Sequence, residues 1–583
     1  MLFRSEGGST EYSMSVNEYA FIKYDYSGKY EHMLYLPMYA HANWGDSETR
    51  YVTDLRIEII PEDGKTLSGD FALSYVRPSL DTRHTNNNSI YISSLRQDYD
   101  YTGDLDFLEQ NITRARKAMN FLMQFYDANR SLLDSSYLVG HDADKTGSDA
   151  AQRTAHSLGN GYWDISYMPK YDFHSNSYFY KAVADMAYLE SILAQKGISV
   201  DKAEANVQTA GRMSNVTLGK GFAESDYSAL NLTATATNTL NALRATTNSS
   251  TGTGFWDSTK GRFVAGYGDA NADSTSEWVD YGYVVWNLEA IYYGIATEEQ
   301  AKLIMQWITG ERTVAGDTST GEDIYFFELA PRATTYQGSS KTDSSVYTGV
   351  WHGTNNGGEY GKSQVQHGGA IMYSSYYDLM NRISVNGADD AYARLNAIKD
   401  WYMDVYAYYQ SSGSTPDDFY WDYYENSQWD SNGDGKGEYW RVQNGIKGQE
   451  ERDGFTGGVI GIDGEFLESF LPVAAIPYGF FGIESLGNGT LQIAPKLPGD
   501  LDYWTAENLT FGGCKYDVTI YENALQVSAV RGEIAGLTLK VALNAPASDY
   551  KVYVNGFATT DYQVVNGQIV VELAFGNAIV EIR

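Results

Sequence analysis

The feature that most constrains the fold is an alternation of two kinds of helical segment between residues 98 and 488. Some segments are apolar on nearly every side, such as 280–296, whereas others, such as 297–310, carry a single apolar stripe. A helix that is apolar all round has to be buried, and a helix with one stripe covers a core and faces water. The alternation therefore predicts a mainly α domain, with an inner layer of helices inside an outer layer.

Apolar residues at helical spacing mark the remaining helices of this domain. The predicted segments are 104–125, 179–195, 226–247, 368–383, 390–406 and 464–483. Asp104 is placed to cap the first of them, because a carboxylate there can accept the amide hydrogens of the first turn. Pro472 and Pro477 should bend or break the last one, since proline removes a backbone donor.

Long loops rich in Gly, Trp and Asp precede the apolar helices, at about 127–174, 250–280, 311–367 and 407–463. Loops of this length without secondary structure usually carry function. In a ring of paired helices these loops would gather over the N-termini of the inner layer. We therefore expect the functional site at that end.

The two flanks have a different periodicity. Residues 1–97 contain alternating runs such as YVTDLRIEII, and SLDTRHTNNNSIYI suggests a polar loop followed by a short strand. Residues 489–583 contain short strands separated by Gly and Asn turns, which predicts an antiparallel β-sandwich. We expect three regions: a β-rich region over 1–97, a helical domain over 98–488 and a sandwich over 489–583. The opening MLFRSEGGSTEYS lacks the apolar core of a signal peptide, so we expect a chain without its natural N-terminus.

Charge and composition exclude several classes of function. The net charge of −33 argues against nucleic acid or an anionic membrane as a partner, because both require basic patches. No apolar stretch reaches the length that spans a bilayer. Cys514 is the single cysteine, so no disulfide forms within the chain, and the HExxH pattern of zinc hydrolases does not occur. The 49 Tyr and 12 Trp offer flat rings with polar edges, which suit sugar clefts as well as core packing.

Cleavage of a glycosidic bond needs two carboxyl groups, one as the acid and one as the base or nucleophile. Asp164 is the first candidate, because Tyr162, Trp163 and Tyr167 give it an apolar aromatic setting that raises the pKa of a general acid. The alternative for Asp164 is a turn cap.

Glu465 and Glu468 are the candidates for the second carboxyl, where a Gly-rich loop enters an apolar helix. They are three residues apart and share a helix face, so one of the two could act as the base. Their alternative role is interaction with the helix dipole.

Other polar residues in or beside the loops are candidates for binding sugar hydroxyls. They are Asp280, Arg332, Arg83 and Gln366, besides the aromatic residues next to Asp164. Asp280 could instead be the N-cap of the helix that follows it. Arg332 could instead form an ion pair with Glu328.

One loop has the early spacing of a calcium-binding loop. The residues that we assign to it are Asp430, Asn432, Asp434, Lys436 and Glu438. Its twelfth position is Arg441 and not Glu, which excludes a complete EF-hand. The segment therefore predicts either a structural calcium site or a solvated turn, and no cofactor is expected for catalysis.

Three stretches resemble the six-hairpin glycosidases, whose catalytic domains are (α/α)₆ toroids, and most of all the clan of processing α-glucosidases and trehalases. They are Tyr101–Leu108, the run GNGYWDISYMPKYD, and Gly254–Asp257 followed by Gly261–Phe263. The resemblance implies a toroid flanked by β-sandwich segments, with Asp164 in the position of the acid and Glu468 or Glu465 in that of the base. It also implies inversion at the anomeric carbon. The loop reads WDISYM rather than the common form of the clan, and the usual aromatic-flanked Glu is not reproduced.

The leading hypothesis is therefore an inverting glycoside hydrolase acting on an oligo- or polysaccharide. A disaccharide phosphorylase on the same fold would need a basic residue near the acid, for which Arg332, Lys362 or Arg312 could serve. A polysaccharide lyase would use a Tyr or His base, and a glycan-binding protein without activity would show no turnover. The acidity and the aromatic-rich loops favour an extracellular or cell-envelope location. The sequence predicts neither the sugar nor the oligomeric state.

Overall fold

The computed structural model describes residues 86–123, 125–135, 169–202, 227–268, 278–280, 282–312, 314, 372–412, 471–547 and 549–583, with residue 66 and the backbone of six short strands before residue 211. Helices and antiparallel sheets make up these residues, as the sequence predicts. The number of helix pairs and their closure into a ring stay predictions. No described helix is both long enough and apolar enough to cross a bilayer.

The N-terminal region contributes five strands. They are β1 (Leu2–Ser5), β2 (Gly8–Thr10), β3 (Phe21–Tyr26), β4 (Lys29–Leu34) and β5 (Val52–Arg56). Strand β1 lies between β2 and β5, and β3 pairs with β4. The other edge of β3 pairs with Gln208–Ala210, a strand that lies far along the chain among the helices. The sheet of β3 and β4 is therefore joined to the helical region by backbone pairing.

Nine α-helices are described between the N-terminal strands and the sandwich. They are α1 (Asn86–Thr102), α2 (Leu105–Met123), α3 (Phe173–Gln195), α4 (Leu232–Arg244), α5 (Val284–Tyr292), α6 (Glu298–Ile308), α7 (Met372–Asn381), α8 (Ala388–Ser412) and α9 (Leu471–Ala475). Helix α3 packs against α1, α2 and α4, and α7 packs against α5 and α9. Every residue from Val284 to Ala290 in α5 is buried, which confirms the prediction of an apolar buried helix.

Local sequence explains where several helices begin and end. Asp104 accepts the amide hydrogen of Phe107 at 2.8 Å, so the predicted cap of α2 is confirmed. Thr297 and Gln300 form a reciprocal capping box at the start of α6. Pro477 acts as predicted, because α9 ends at Ala475 and a single π turn, Ile476–Phe480, follows it. The residues before Leu471 lie outside the described ranges, so the effect of Pro472 stays a prediction.

The predicted short strand in SLDTRHTNNNSIYI is wrong, because α1 begins at Asn86 and continues through these residues. Ile92, Leu95 and Tyr99 are buried, and their spacing of three and four residues places them on one helical face. Packing in the apolar core that α1 forms with α2 and α3 outweighs the β propensity of Ile and Tyr in SIYI. The proposed boundary at residue 97 consequently falls inside a helix.

A hairpin-and-helix unit occurs twice in the helical region. The first hairpin is formed by β6 (Tyr126–Asp127) and β7 (Leu132–Leu133). Strands β8 (Tyr171–Asp172) and β9 (Gln208–Ala210) come next along the chain. The second hairpin is formed by β10 (Trp256–Asp257) and β11 (Arg262–Phe263). Both hairpins follow a phenylalanine. Both turn through a residue with positive φ, 58° at Ser131 and 61° at Gly261.

An asparagine at the fourth position of a helix holds each hairpin. Asn176 of α3 accepts from the amide of Leu133 at 2.7 Å and donates to its carbonyl at 3.1 Å. Asn287 of α5 makes the same two bonds with Phe263, at 2.8 and 3.2 Å. The two units are thus equivalent in structure.

The C-terminal region is a sandwich of two sheets. The smaller one has five strands: β14 (Ile483–Ser485), β15 (Thr490–Ile493), β19 (Thr538–Asn544), β22 (Gln563–Val565) and β23 (Gln568–Ala574). The larger one has six: β16 (Tyr503–Phe511), β17 (Cys514–Tyr521), β18 (Ala524–Arg531), β20 (Val552–Val554), β21 (Phe557–Thr559) and β24 (Ala578–Ile582). All pairs are antiparallel except β15 with β19. The sandwich core continues onto the helices, because Trp504 contacts Tyr392 of α8 and Phe480.

Candidate functional site

A three-stranded sheet joins the segments that precede two buried helices. Gly266–Tyr267, which is β12, pairs on one side with β8 and on the other with β13 (Trp278–Val279). Strand β8 leads directly into α3, and β13 is followed by α5. The N-terminal ends of α3 and α5 are therefore positioned by the same piece of backbone.

Glycine is required at the centre of this small sheet. A Cβ atom at Gly266 would lie 2.4 Å from the carbonyl oxygen of Tyr171 and 2.9 Å from the Cα of Asp172. Both are backbone atoms, so no side-chain rotation can relieve the contact. The close approach lets Phe173 donate its amide to Ala265 at 2.7 Å, and this bond fixes the first residue of α3.

Backbone hydrogen bonds beside the same sheet also bring together the two ends of the segment that contains Asp164. Ser135 donates its amide to the carbonyl of Lys170 at 2.9 Å, and Lys170 donates to Gly268 at 2.8 Å. Asp164 lies five residues before Pro169, where the described chain resumes. The chain that carries the predicted acid therefore leaves and returns beside the start of α3.

Asp280 forms a buried ion cluster directly after β13. Its carboxylate pairs with the Lys260 ammonium and with the guanidinium of Arg262, which is fully buried and lies 4.9 Å from the centre of the Trp307 ring. Burial alone would raise the pKa of Asp280, but the charges of Arg262 and Lys260 outweigh it and lower that pKa below its ordinary value. Asp280 is not the cap of α5, because that helix begins at Val284 after Tyr283. Its predicted role in sugar binding stays a prediction.

The lowered pKa gives Asp280 an expected signature in the pH dependence of stability. We expect Asp280→Asn to reduce the free energy of unfolding by about 1.5–3 kcal/mol at pH 7, because it weakens charge-assisted hydrogen bonds to a buried guanidinium. A carboxyl with a depressed folded-state pKa stabilises the fold above its unfolded pKa, and this contribution is lost as the pH falls. The deficit of the variant should therefore be constant above about pH 5 and shrink below the ordinary value of 3.8. Urea denaturation at pH 7 and at pH 3 measures it, and equal deficits at both would contradict the assignment.

A second buried polar cluster links α3 to α5. His174 Nδ1 lies 2.8 Å from a carboxylate oxygen of Glu289, and the Tyr178 hydroxyl donates to the other oxygen at 3.2 Å. The imidazole stacks on Trp286, with ring centroids 5.3 Å apart and an angle of 12° between the planes. His174 and Glu289 are both buried. A carboxylate that binds one nitrogen of a histidine orients the ring and sets which nitrogen carries the proton.

Two nitrogens of this cluster have no hydrogen-bond partner within the described part of the chain. They are Nε2 of His174 and Nε1 of Trp286, and both are buried. A buried polar atom without a partner is costly in a folded protein and is found at functional sites. The dyad leaves Nε2 able to accept or donate a proton, which is the chemistry of a general acid or base.

Four tyrosines, two at the C-terminal end of α5 and two on α7, extend this polar cluster. The hydroxyls of Tyr292 and Tyr376 lie 3.0 Å apart, and those of Tyr293 and Tyr377 lie 3.4 Å apart. Burial raises the pKa of Tyr293 and Tyr377, so both stay protonated at neutral pH. They are therefore neutral hydrogen-bond donors beside Glu289.

Sequence reasoning did not single out Glu289, although a signal was present. It is the one charged residue in the helix Val284–Tyr292, and a charge in a buried apolar helix needs a partner. His174 lies at the start of the helix that follows strand β8, and its imidazole is a group that can bond a carboxylate.

Most of the predicted site residues lie outside the described residues. This applies to Asp164, Glu465, Glu468, Tyr162, Trp163, Tyr167, Arg83, Arg332 and Gln366, and to the calcium-loop residues Asp430, Asn432, Asp434, Lys436 and Glu438. Their roles stay predictions. Within the described ranges, no group of three or more His, Cys, Asp or Glu side chains is placed to hold a metal ion.

Arg312, one of the basic residues considered for binding phosphate, is described. Its guanidinium donates to the backbone carbonyls of Lys260 at 2.7 Å, Gly261 at 3.1 Å and Leu303 at 2.7 Å. These bonds brace α6 against the second hairpin. Arg312 therefore has a structural role, which weakens its candidacy as a phosphate ligand.

No protein-family model matches the chain, and no curated protein matches it. Among solved structures, it is similar to an α-L-rhamnosidase of Streptomyces avermitilis solved with L-rhamnose, at 12% identity and a TM-score of 0.39, over 83% of this chain and 32% of that one. It is also similar to an α-L-rhamnosidase of Dictyoglumus thermophilum, at 12% identity and a TM-score of 0.36, over 85% of this chain and 39% of that one. A rhamnosidase of Bacillus sp. GL1 matches at 14% identity and a TM-score of 0.33, over 76% and 31%. The chain thus spans about a third of the length of these proteins.

Proposed function

We propose that the chain is the catalytic part of a glycoside hydrolase that cleaves an oligo- or polysaccharide with inversion. The observation that carries this proposal is the small sheet β8–β12–β13. It brings the N-terminal ends of two buried helices together with the base of the segment that contains Asp164. The aromatic motif around Asp164 and its resemblance to the acid loop of six-hairpin glycosidases support the same reading.

In this proposal Asp164 protonates the leaving oxygen, and Glu468 or Glu465 activates a water molecule on the opposite face of the sugar. An inverting pair should be about 6.5–9.5 Å apart, which leaves room for that water. Tyr162, Trp163, Tyr167, Asp280, Arg332, Arg83 and Gln366 bind the sugar. The His174–Glu289 dyad stands beside the start of α3, where Nε2 of His174 can bond a sugar hydroxyl.

The location of the protein and its metal content are proposed on the same basis. The chain acts on a carbohydrate in an extracellular or cell-envelope setting. The loop from Asp430 to Glu438 holds a structural calcium ion that is not used in catalysis. The rhamnosidases named above share about a third of their length with this chain, so α-L-rhamnosides belong in any substrate panel.

Replacing Asp164 by Asn tests the proposal. Wild type should release sugar from at least one member of a panel of aryl glycosides and natural oligosaccharides, assayed with and without calcium and phosphate. Asp164→Asn should lose about 10²–10⁴-fold in rate, because that is the usual contribution of a general acid. Asp561→Asn is the matched control, since Asp561 is exposed on the sandwich and should leave activity unchanged.

The outcomes separate the alternatives. Proton NMR of the first product formed should show the anomer opposite to that of the substrate. Equal activity of wild type and Asp164→Asn would make Asp164 structural. Turnover that requires phosphate would identify a phosphorylase, and an absence of turnover in every assay would set the hydrolase aside.

A polysaccharide lyase is the second candidate, and the His174–Glu289 dyad is the observation that favours it. A lyase removes a proton from carbon, for which an oriented imidazole whose Nε2 has no partner among the described residues is a suitable base. Its product contains a double bond that absorbs in the ultraviolet. An absorbing product that is lost in His174→Gln and retained in Asp164→Asn would support the lyase over the hydrolase.

A further inference from the structure

The outer face of the six-stranded sheet carries side chains that the proposed active site does not use. Residues alternate along β17, so that Tyr516, Val518 and Ile520 are buried in the sandwich while Thr519 and Tyr521 point outward. Burial alternates in the same way along the neighbouring strand β18. The inner face builds the core, and the outer face is open to solvent.

Five residues form a continuous line across this outer face, one on each of five adjacent strands. The register pairs Tyr503 with Tyr521, Tyr521 with Ala524, Ala524 with Glu581, and Glu581 with Tyr553. We refer to this line as the tyrosine row. Four strand spacings give it a length of roughly 19 Å, which accommodates several sugar rings.

One end of the row is aromatic and exposed. Tyr503 is 61% exposed and Tyr521 is 38% exposed, although both are large and partly apolar. Their rings lie 6.2 Å apart with 36° between the planes, so they form a shallow platform rather than a closed stack. The hydroxyls of Thr505 and Thr519, one pair further along the same strands, lie 3.0 Å apart and supply polar partners beside the rings.

The other end of the row is polar. Arg583 donates to Glu581 at 2.7 Å, and its guanidinium lies 4.6 Å from the centre of the Tyr553 ring. The row therefore offers two flat apolar rings followed by hydrogen-bonding groups. A sugar chain has the complementary surface, with apolar C–H faces and hydroxyl edges.

We propose that the tyrosine row binds a neutral polysaccharide chain, which stacks on Tyr503 and Tyr521 and bonds to the polar groups beside them. The ligand is expected to be neutral because the protein carries a net charge of −33, which repels polyanions. The site is remote in sequence from the residues proposed for catalysis and does not depend on the glycosidase proposal. Its role is to hold the polymer on the protein.

Affinity gel electrophoresis of the full chain tests the site. The native gels would contain barley β-glucan, xyloglucan, galactomannan or xylan, with sodium alginate as the polyanion. Wild type should be retarded by at least one neutral polymer, and the double variant Tyr503→Ala/Tyr521→Ala should bind that polymer at least about tenfold more weakly. Phe557→Ala is the matched control, because Phe557 is 79% exposed at the edge of the same sheet and lies outside the row.

Both variants replace exposed side chains, so their urea midpoints should equal that of wild type and confirm that they fold. Activity on a small aryl glycoside, if wild type has it, should be unchanged in the double variant. The proposal is overturned if the double variant is retarded like wild type, if Phe557→Ala loses binding equally, or if alginate alone retards the protein. It is overturned as well if no polymer retards wild type.

Discussion

Asn287→Leu is expected to lower the free energy of unfolding by about 2–6 kcal/mol, because it leaves buried backbone groups of Phe263 without their partners. The amide of Asn287 accepts from the Phe263 N–H and donates to the carbonyls of Phe263 and Tyr283. Leucine has nearly the same size but can make none of these bonds. Urea denaturation followed by circular dichroism measures the loss.

The structural repeat supplies the comparison for this variant. Asn176→Leu should cost a similar amount, since Asn176 makes the same bonds to Leu133 and donates to the carbonyl of Asp172. Asn381→Leu is the control, because this equally buried asparagine donates one side-chain bond within the described residues, to the carbonyl of Leu288 at 2.7 Å. Its cost should be about 1–3 kcal/mol. If Asn176→Leu and Asn287→Leu cost no more than Asn381→Leu, the two hairpins are not held by their asparagines.

Asp378→Ala is expected to cost about 3–5 kcal/mol, because it deprives two buried guanidinium groups of a shared carboxylate. Asp378 is fully buried and accepts from Nε of Arg382 at 2.8 Å and from Nε of Arg394 at 3.0 Å. Burial raises the pKa of Asp378, but the two arginines outweigh it and hold that pKa below its ordinary value. The carboxylate is therefore ionised at neutral pH, and its removal leaves Arg394 and the Nε of Arg382 buried without this partner.

Asp390→Ala is the matched control for Asp378→Ala. Asp390 also pairs with Arg382, at 3.0 Å, but its side chain is 37% exposed. Its loss should cost less than about 1 kcal/mol, as for other solvent-exposed pairs. A chain with helical and sandwich regions can unfold in more than one step, so the first cooperative transition is the one to compare. Equal shifts for the two variants would show that burial does not decide the strength of this network.

Helical periodicity was sufficient to predict the described helices from α2 to α9, and the Gly- and Asn-bounded runs predicted six strands of the sandwich, β15, β17, β19, β20, β23 and β24. These patterns arise from burial of one face, which sequence records directly. Helix α1 was missed because Ile and Tyr in SIYI favour a strand locally, whereas packing of Ile92 and Leu95 on α2 and α3 decides the fold. Strands β14, β16 and β18 were not among the predicted runs. The edge strands β21 and β22 were missed as well, because they are three residues long and largely exposed.

The repeated unit was not recognised in the sequence for a different reason. Its two copies share a phenylalanine, an aspartate two residues later and an asparagine in the following helix. Segments of different length separate these positions, from Asp127 to Asn176 in one copy and from Asp257 to Asn287 in the other. The equivalence lies in backbone bonds and in the positive φ of Ser131 and Gly261, which serine and glycine satisfy without sharing a residue type.

Of the residues predicted to bind sugar, Asp280 is the one that the described ranges contain, and its surroundings could not be predicted. Its partners Lys260 and Arg262 follow from the fold of the second hairpin, which brings residues 18 and 20 positions away onto one carboxylate. The His174–Glu289 dyad joins residues 115 positions apart, and only the packing of α3 against α5 reveals it.

Backbone hydrogen bonds join Ser135, Lys170 and Gly268 and fix the ends of the chain segments next to them. These bonds constrain the ends of each segment but not the sequence between them. The chain between residues 135 and 169 begins and ends on backbone hydrogen bonds, and β12 and β13 close the segment between 268 and 278 in the same way. Backbone bonds place little demand on side-chain identity, and doubling the length of a closed loop costs only about 0.6 kcal/mol. In the proposed hydrolase, substrate range can therefore diverge by insertion or exchange within these two segments while α3 and α5 keep their register. A library that randomises them would sample new specificities on an unaltered scaffold.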